Sequence, residues 1–406
     1  MPTTPQPTAF FRKFAPRSLP AGIWALGLGS MCMDISSEMI HSLLPVFMAT
    51  VLGASMVTIG VVEGIAEATA AITKVFSGAL SDWLGRRKLP LVLGYGLAAL
   101  TKPVFPLASS IGWVFAARFV DRIGKGIRGA PRDAMVADLT PPHLRGAAYG
   151  LRQALDSLGG FIGPLLAVVF MLLFAGDIRA VMWMAVLPAL VTVALLALYI
   201  REPERNPAEA AAALSLAGIK GLPPRYWLVV ALGAVFTLAR FSEAFLVLRA
   251  QDTGIAPGYV PVVMIVMNVC YAALAYPAGA AADRCNRAHL LLAGLIALIV
   301  ADLVLAAAST PLLVLAGAAL WGLHMALTQG LLAKLVANTA PPELRGTAFG
   351  IFNLVSGSAL LLASVIAGAL WSAFGPAATF LTGAAFAALA ALGIVGYNAR
   401  TAPARC

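Results

Sequence analysis

Apolar residues in this chain fall into long runs that recur from Pro20 to Asn398, separated by short stretches holding Pro, Gly, Arg or Lys. A membrane-spanning helix needs about 20 mostly apolar residues, so the runs leave room for about twelve crossings. A helix also satisfies its own backbone hydrogen bonds, which lipid requires and an open strand does not achieve. The pattern therefore predicts an all-α membrane protein with about twelve transmembrane helices, spans 1 to 12.

Composition favours this class over a water-soluble one. Of 406 residues, 60% are hydrophobic and 11% are charged, whereas an ordinary soluble domain carries roughly a quarter charged residues. The sequence offers no nucleophile–base pair, phosphate-binding loop or metal-ligand set, so we expect neither an enzyme nor a bound cofactor or metal. The cysteines are scattered and predict no disulfide: Cys32, Cys270, Cys285 and Cys406.

The formal net charge of +10 could indicate a nucleic-acid partner, but the basic residues follow membrane topology instead. They fall on alternate loops, while loops 50–58 and 108–112 are nearly free of Lys and Arg. By the positive-inside rule both termini lie in the cytoplasm. We expect a multi-pass protein of the plasma membrane, the inner membrane of a bacterium, surrounded by lipid and binding no nucleic acid.

An internal repeat divides the chain. VADLTPPHLRGAAYG, beginning at Val136, is answered 200 residues later by VANTAPPELRGTAFG, beginning at Val336. The Ser37-Glu38 pair of span 1 is answered by Ser242-Glu243 of span 7. A repeat of this length indicates a duplicated structural unit.

The repeat predicts two six-helix halves, residues 1–200 and 225–406, joined by a cytoplasmic linker at 201–224. Each half has an even number of helices, so both enter the membrane from the same side. Such halves are related by an axis along the membrane normal, with a substrate site near the midplane between them. We expect the whole protein to be a monomer.

Three motifs resemble signatures of the major facilitator superfamily. The run GALSDWLGRRK from Gly78 is similar to the loop 2-3 signature GxxxDxxGRRK, and Arg118 followed by Gly124-Lys-Gly126 resembles the helix 4 signature. GGFIGP from Gly159 resembles the helix 5 antiporter signature GxxxGP. The resemblance covers essentially the whole chain and implies a twelve-helix drug:proton antiporter.

The resemblance implies a conformational latch in loop 2-3. In this interpretation Asp82 caps a helix of the other half, and Arg86 pairs with Asp138 at the end of span 4. Such a latch favours the outward-facing state and must break for the inward-facing one. The alternative is that the basic residues only orient spans 2 and 3. The signature residues are Gly78, Asp82, Gly85, Arg86 and Arg87.

The resemblance also implies that Gly159, Gly163 and Pro164 of span 5 accompany export by antiport. Span 11, their counterpart in the second half, has no Gly-Pro. Simple packing glycines are the alternative interpretation.

Ionisable residues inside the spans form a polar seam, because the helical period of 100° per residue puts them on shared stripes. A charge at this depth normally faces a cavity or a partner. Arg240 and Glu243, three residues apart on span 7, could pair with each other. The residues expected to line the substrate cavity are His41, Glu63, Glu67, Lys125, Arg128, Arg152, Asp156, Arg240 and Glu243.

We expect Asp34 or Glu38 to carry the proton. Near the midplane, desolvation favours the neutral acid and a nearby cation favours the ionised carboxylate, so a small change of surroundings can load or release a proton. Arg118 or Arg122 would be the cation that tunes it, and Asp121 belongs to the same set. A static ion-pair network is the alternative.

These patterns predict a transporter that uses the proton gradient to expel a small molecule. The many cations of span 4 point to an anionic or zwitterionic substrate rather than a simple hydrophobic drug. A proton-coupled importer of a small metabolite or metal complex is the main alternative, and a transport-silent sensor on the same scaffold is a second.

Overall fold

The computed structural model describes residues 19–84, 86–202, 221–284, 287–328, 331–341 and 344–401, and every regular element in these ranges is helical. The helices of the first half are α1 (Ala21–His41), α2 (Met56–Leu84), α3 (Lys88–Thr101), α4 (Ile111–Asp138), α5 (Arg145–Leu173) and α6 (Val186–Tyr199). Those of the second half are α7 (Pro224–Leu238), α8 (Val262–Arg284), α9 (Arg287–Ala306), α10 (Pro311–Thr328), α11 (Arg345–Phe374) and α12 (Pro376–Thr401).

Shorter helical segments extend several of these helices. Leu44–Val46 and Phe47–Val51 follow α1, Val104–Leu107 follows α3, and Ile178–Met184 precedes α6. In the second half, Ala244–Asp252 follows α7 and Leu331–Thr339 follows α10.

Nine spans within the described residues are long and apolar enough to cross a membrane. They belong to α2, α3, α5, α6 and α8 to α12, which makes the chain a multi-pass membrane protein. α1, α4 and α7 are outside this group. α1 and α4 carry ionisable residues in their middle turns, and the apolar segment of α7 is short. The full count of twelve crossings stays a prediction from the sequence.

The two halves pack their helices in the same pairs. α1 packs on α5 and α6, α4 packs on α2 and α3, and α3 packs on α6. The second half repeats each pair six helices later: α7 with α11 and α12, α10 with α8 and α9, and α9 with α12. Between the halves, α2 packs on α11 and α5 packs on α8.

The contact of α2 with α11 is built on glycines, and we call it the glycine seam. A Cβ atom at Gly64 would lie 3.0 Å from the carbonyl oxygen of Leu361, and one at Gly357 would lie 3.1 Å from the Ala71 Cβ. Gly60 and Gly368 meet backbone atoms of the facing helix even more closely. Small residues let the two backbones approach, as in other membrane helix pairs.

The buried apolar residues show where the halves meet. One large cluster joins both halves, for example Phe47 and Met171 of the first with Phe245 and Trp371 of the second. Two smaller clusters each stay within one half, around Tyr95 in the first and around Phe352 in the second. They lie toward the end that carries the loops around 84–88, 138–145 and 340–345, which we call the basic end. Among the described buried apolar residues, the halves are therefore joined at one end, and at the basic end each half has its own cluster.

Two helices, α1 and α7, are interrupted by short non-helical segments. α1 ends at His41 and helix resumes at Leu44, and α7 ends at Leu238 and resumes at Ala244. The sequence repeat matched Ser37-Glu38 with Ser242-Glu243, but the first pair lies inside continuous helix and the second lies in the break. Ser364 Oγ accepts a hydrogen bond from the Ser242 N–H at 3.2 Å, so a backbone donor freed by the break is satisfied from α11.

Candidate functional site

A cavity of about 400 Å³ lies between the halves, and a second space of about 570 Å³ continues from it. The two share Glu38, Glu67 and Lys125 as lining residues, so they form one passage. The second space is bordered by Lys74 of α2 and Arg132 of α4, which lie nearer the basic end of their helices. The passage therefore runs from the centre of the molecule toward the basic end.

Two acids of α1 face this passage against two glycines of α5. A Cβ atom at Gly159 would lie 2.8 Å from the Asp34 Cβ, and one at Gly163 would lie 2.7 Å from the Glu38 Cβ. Pro164, inside α5, is buried. The spacing of four residues is the same on both helices, so each acid fits over one glycine. Side chains at 159 and 163 would push α1 away.

α4 faces α2 through a ladder of two ion pairs. Arg118 donates to Glu63 through Nε at 3.2 Å and through its terminal nitrogen at 2.6 Å, with both side chains 4% exposed. One turn later a terminal nitrogen of Arg122 lies 3.0 Å from Glu67 Oε1. These contacts pair two acids predicted for the cavity, Glu63 and Glu67, with two cations predicted for proton coupling, Arg118 and Arg122.

The next acid of α4, Asp121, faces α3. Lys102 donates to Asp121 Oδ1 at 2.9 Å and to Ser37 Oγ at 3.1 Å. Both members of the pair are buried, with side chains 2% and 7% exposed. Asp121 was expected in the proton-coupling set, which stays a prediction; its ion pair with Lys102 is also what the static-network alternative predicts.

A second network lies toward the basic end. Asp156 of α5 lies 3.5 Å from a terminal nitrogen of Arg132 and 3.8 Å from one of Arg152. Arg152 also donates to Asp133 at 2.7 Å. Arg128 stacks on the ring of Tyr95, with its guanidinium carbon 4.4 Å from the ring centre. Within the described chain, these cations are held by protein groups.

Other charges at the cavity have no ion-pair partner within 4.0 Å among the described residues. They are Asp34, Lys125, Arg240 and Glu243, which are partly or fully exposed to the passage. Arg240 and Glu243, which the sequence suggested could pair, form no ion pair within 4.0 Å, although each is a close electrostatic neighbour of the other. Both residues lie in or beside the break in α7, where the backbone leaves the helical path, so the three-residue spacing no longer brings their side chains into an ion pair.

Glu38 has a single basic neighbour at this distance, His41, whose Nδ1 lies 3.8 Å from Glu38 Oε1. Arg122 approaches Nε2 of the same ring. A guanidinium only donates, so Nε2 acts as the acceptor and the ring is neutral in this arrangement. Among the described residues, Glu38 therefore forms no ion pair within 4.0 Å with a charged group.

His41, Glu63 and Glu67 bring their ligand atoms within 4.8 Å of one another, a spacing that could suit a metal ion. Arg118 and Arg122 already occupy the two carboxylates. Two guanidinium groups repel an added cation and block the ligand oxygens, so the group is better explained as part of the ion-pair ladder.

Comparison with known proteins decides the family. The model of the Major Facilitator Superfamily matches residues 26–248 and, in a second match, residues 230–405. This chain belongs to the major facilitator superfamily. An uncharacterized MFS-type transporter of Methanocaldococcus jannaschii is 33% identical over 384 residues, covering 93% of this chain and 94% of the relative.

Two further similarities are informative, one in sequence and one in fold. The multidrug resistance protein MdtH of Proteus mirabilis is 27% identical over 190 residues, 46% of each chain. The crystal structure of a POT family transporter in complex with a thioalcohol conjugated peptide is similar in fold, with a TM-score of 0.78 at 13% identity, covering 95% of this chain and 97% of that one. The resemblance seen in the sequence motifs is thus confirmed at the level of the superfamily.

In loop 2-3, the expected ion pair between Arg86 and Asp138 does not form. Asp138 at the end of α4 pairs with Arg87, at 3.3 Å from its Nε, whereas Arg86 is exposed. Arg87 also donates to Ser81 Oγ at 3.0 Å. The side chain of Arg87 turns back under the end of α2, while Arg86 points away. Gly85 lies outside the described residues, and the structure describes only the helical backbone at Gly78 and Asp82, so the capping role of Asp82 stays a prediction.

Sequence reasoning missed two residues at this site. Lys102 in α3 is the buried partner of Asp121, and a lone lysine inside an apolar span was the signal that could have identified it. Glu202 accepts hydrogen bonds from the N–H groups of Arg87 and Lys88, the second at 3.0 Å. Its position after span 6 gave no such signal, because the contact joins residues more than 100 positions apart.

Proposed function

We propose that this transporter uses the proton gradient to export a small molecule by antiport, through alternating access of the central cavity to the two sides of the membrane. One observation carries the proposal. Asp34 and Glu38 are carboxylates on the passage wall that accept no hydrogen bond from the described residues, although neighbouring acids are paired.

A free carboxylate in the membrane interior is costly as an anion and much less costly as a neutral acid. Cations on the facing helix favour the anion. Arg122 and Lys125 of α4 supply that positive charge near Glu38. A modest change in water access or in the distance to these cations is then enough to load or release a proton.

The packing of α1 on α5 supports a link between proton loading and conformation. Gly159 and Gly163 lie directly beneath the two acids, and α5 also contacts the other half, where Asn268 of α8 donates to the Gly160 carbonyl at 3.0 Å. A tilt of the halves moves α5 and so changes the surroundings of both carboxylates. Such coupling is what alternating access requires.

Topology and one relative support export as the proposed direction. By the positive-inside rule the basic end is cytoplasmic, and the passage runs toward that end, so this arrangement is inward-facing and ready to load a molecule from the cytoplasm. Similarity to a protein named for multidrug resistance agrees with export. A proton-coupled importer would use the same carboxylates and is the alternative that an experiment must separate.

The test is made in proteoliposomes that contain a pH-sensitive dye, with membrane potential clamped and with ligands found by thermal shift trapped inside. Antiport predicts that the lumen becomes more acidic as the ligand leaves, because protons enter in exchange. Symport predicts the opposite sign. Ligand efflux without any proton movement would remove the basis of the proposal.

The variants Asp34→Asn and Glu38→Gln identify the carrier. At least one should abolish ligand-driven proton movement while leaving ligand binding measurable. Asp133→Asn is the matched control, because Asp133 is paired with Arg152 and 40% exposed away from the cavity. Unchanged coupling in the Asp34 and Glu38 double variant would assign the proton to another group.

A further inference from the structure

The charged side chains of the cavity that form no ion pair come equally from both halves of the protein and include both signs of charge. Four of those lining the space of about 400 Å³ form no ion pair within 4.0 Å with a charged group of the described chain: Glu38, Lys125, Arg240 and Glu243. Glu38 and Lys125 come from the first half, and Arg240 and Glu243 from the second. Each half therefore offers one acid and one base to whatever occupies the cavity.

A ligand of a single sign cannot satisfy this set. An anion would compensate Lys125 and Arg240 but would sit beside two acids, and a cation would have the reverse difficulty. Burying a charge without a partner costs several kcal/mol, and like charges brought together discriminate strongly against the wrong ligand. A molecule that carries both an ammonium and a carboxylate group compensates all four residues.

The rest of the cavity wall is apolar and belongs mainly to the second half. Phe236 of α7 and Phe241 in the break after it line this wall, and Trp321 of α10 packs against Phe241 with ring centres 5.4 Å apart. Phe352 of α11 closes this surface. Aromatic walls of this kind bind an apolar or aromatic body through its buried area.

The break in α7 explains why Arg240 and Glu243 are available. Both residues lie in the non-helical segment between Leu238 and Ala244 and line the cavity without forming an ion pair with each other. Discontinuous helices of transporters present polar groups to substrates in the same manner. The volume of about 400 Å³ is near the lower limit of small-molecule sites, roughly 300 to 1,000 Å³.

We propose that the substrate is a small zwitterion with an apolar or aromatic body, whose carboxylate binds Arg240 and Lys125 and whose ammonium binds Glu243 and Glu38. This inference rests on the proposed transport function, since it assigns the occupant of the same cavity. Each charged group of the ligand contacts both halves, so binding draws them together around it.

Matched ligand sets test the substrate class. Phenylalanine, tryptophan and leucyl-phenylalanine are each compared with the carboxyl amide, which keeps only the ammonium, and with the N-acetyl derivative, which keeps only the carboxylate. Thermal shift of the purified protein measures apparent affinity. A zwitterion should bind at least tenfold more tightly than both of its derivatives. Equal binding of a derivative, or no shift with any zwitterion, overturns the inference.

Variants assign the two charged groups. Arg240→Gln should remove the preference for the zwitterion over the amide, and Glu243→Gln should remove the preference over the N-acetyl derivative. Arg240→Lys keeps the charge and should restore discrimination, which separates recognition from misfolding. Arg225→Gln, on the exposed first turn of α7, is the matched control and should retain both preferences. Retained discrimination in Arg240→Gln contradicts the assignment.

The proton assay keeps the two proposals separate. Proton-coupled movement of a ligand with one charge leaves the transport function intact and overturns the zwitterion inference. Zwitterion binding that moves no protons leaves the substrate class intact and overturns the coupling.

Discussion

Gly163 of α5 lies directly beneath Glu38 of α1, so close that a Cβ atom at position 163 would stand 2.7 Å from the Glu38 Cβ and 2.8 Å from the Ile35 carbonyl oxygen. No real Cβ contact is that short, and one of the contacted atoms belongs to backbone. The glycine therefore sets the distance between α1 and α5 at the depth of the candidate proton carrier.

Gly163→Ala should force the two helices apart and weaken transport. We expect a loss of stability of about 1 to 3 kcal/mol, the usual cost of overpacking, and a larger proportional loss of coupled proton movement. Thermal unfolding and the proteoliposome assay measure the two effects. Gly150→Ala on the same helix is the control, because nothing lies within 4 Å of its Cβ position. Full activity in Gly163→Ala would show that α1 and α5 separate freely.

The buried pair of Glu63 and Arg118 provides a second prediction. Glu63→Gln leaves a guanidinium that is 4% exposed without its anion, which should cost about 3 to 5 kcal/mol. The double variant with Arg118→Gln should recover part of that loss. Asp133→Asn breaks a more exposed pair and should change stability by less than about 1 kcal/mol. The free energies of unfolding of these variants can be compared in mixed micelles. Equal losses for Glu63→Gln and Asp133→Asn would show that water reaches the pair of Glu63 and Arg118.

At the basic end, Arg87 and Arg86 should behave differently. Arg87 is buried against Asp138 and Ser81, so Arg87→Gln should destabilise the contact between α2 and α4 by about 1 to 3 kcal/mol. Arg86→Gln alters an exposed side chain and should stay within about 0.5 kcal/mol. Midpoints of thermal unfolding measure both. A larger effect at Arg86 would favour the pairing first expected from the family signature.

Asp302 of α9 is fully buried, and neither carboxylate oxygen has a hydrogen-bond partner in the described chain. An ionised group in this position would be very costly, so the neutral acid is expected. Asp302→Asn, which is nearly isosteric, should then alter stability by less than about 1.5 kcal/mol and leave the pH profile of transport unchanged. A shifted profile would instead make Asp302 a second proton site.

The sequence was sufficient for the features that depend on local periodicity. Asp34 and Glu38 fall on one face of α1 because a helix turns 100° per residue, and Glu63 and Glu67 share a face of α2 for the same reason. Apolar runs were equally informative about the helical fold, since lipid allows few other structures.

The sequence did not predict which residues form ion pairs with each other, because the pairs depend on how the helices are aligned. Asp121 pairs with Lys102 of α3, and Asp138 selects Arg87 over its neighbour Arg86. The break in α7 was also missed, because no Pro or Gly lies in residues 239–243 and the freed backbone donor is satisfied by Ser364, distant in sequence.

The glycine seam between α2 and α11 has a mechanical consequence. Interlocked side chains resist sliding because each must change rotamer to pass another, but Gly60, Gly64, Gly357 and Gly368 leave mostly smooth backbone in contact. A rotation of one helix relative to the other would then require few side chains to change rotamer. In the proposed alternating access, the seam would act as the pivot between the halves, and bulky residues placed there would hold the transporter in one conformation without touching the cavity.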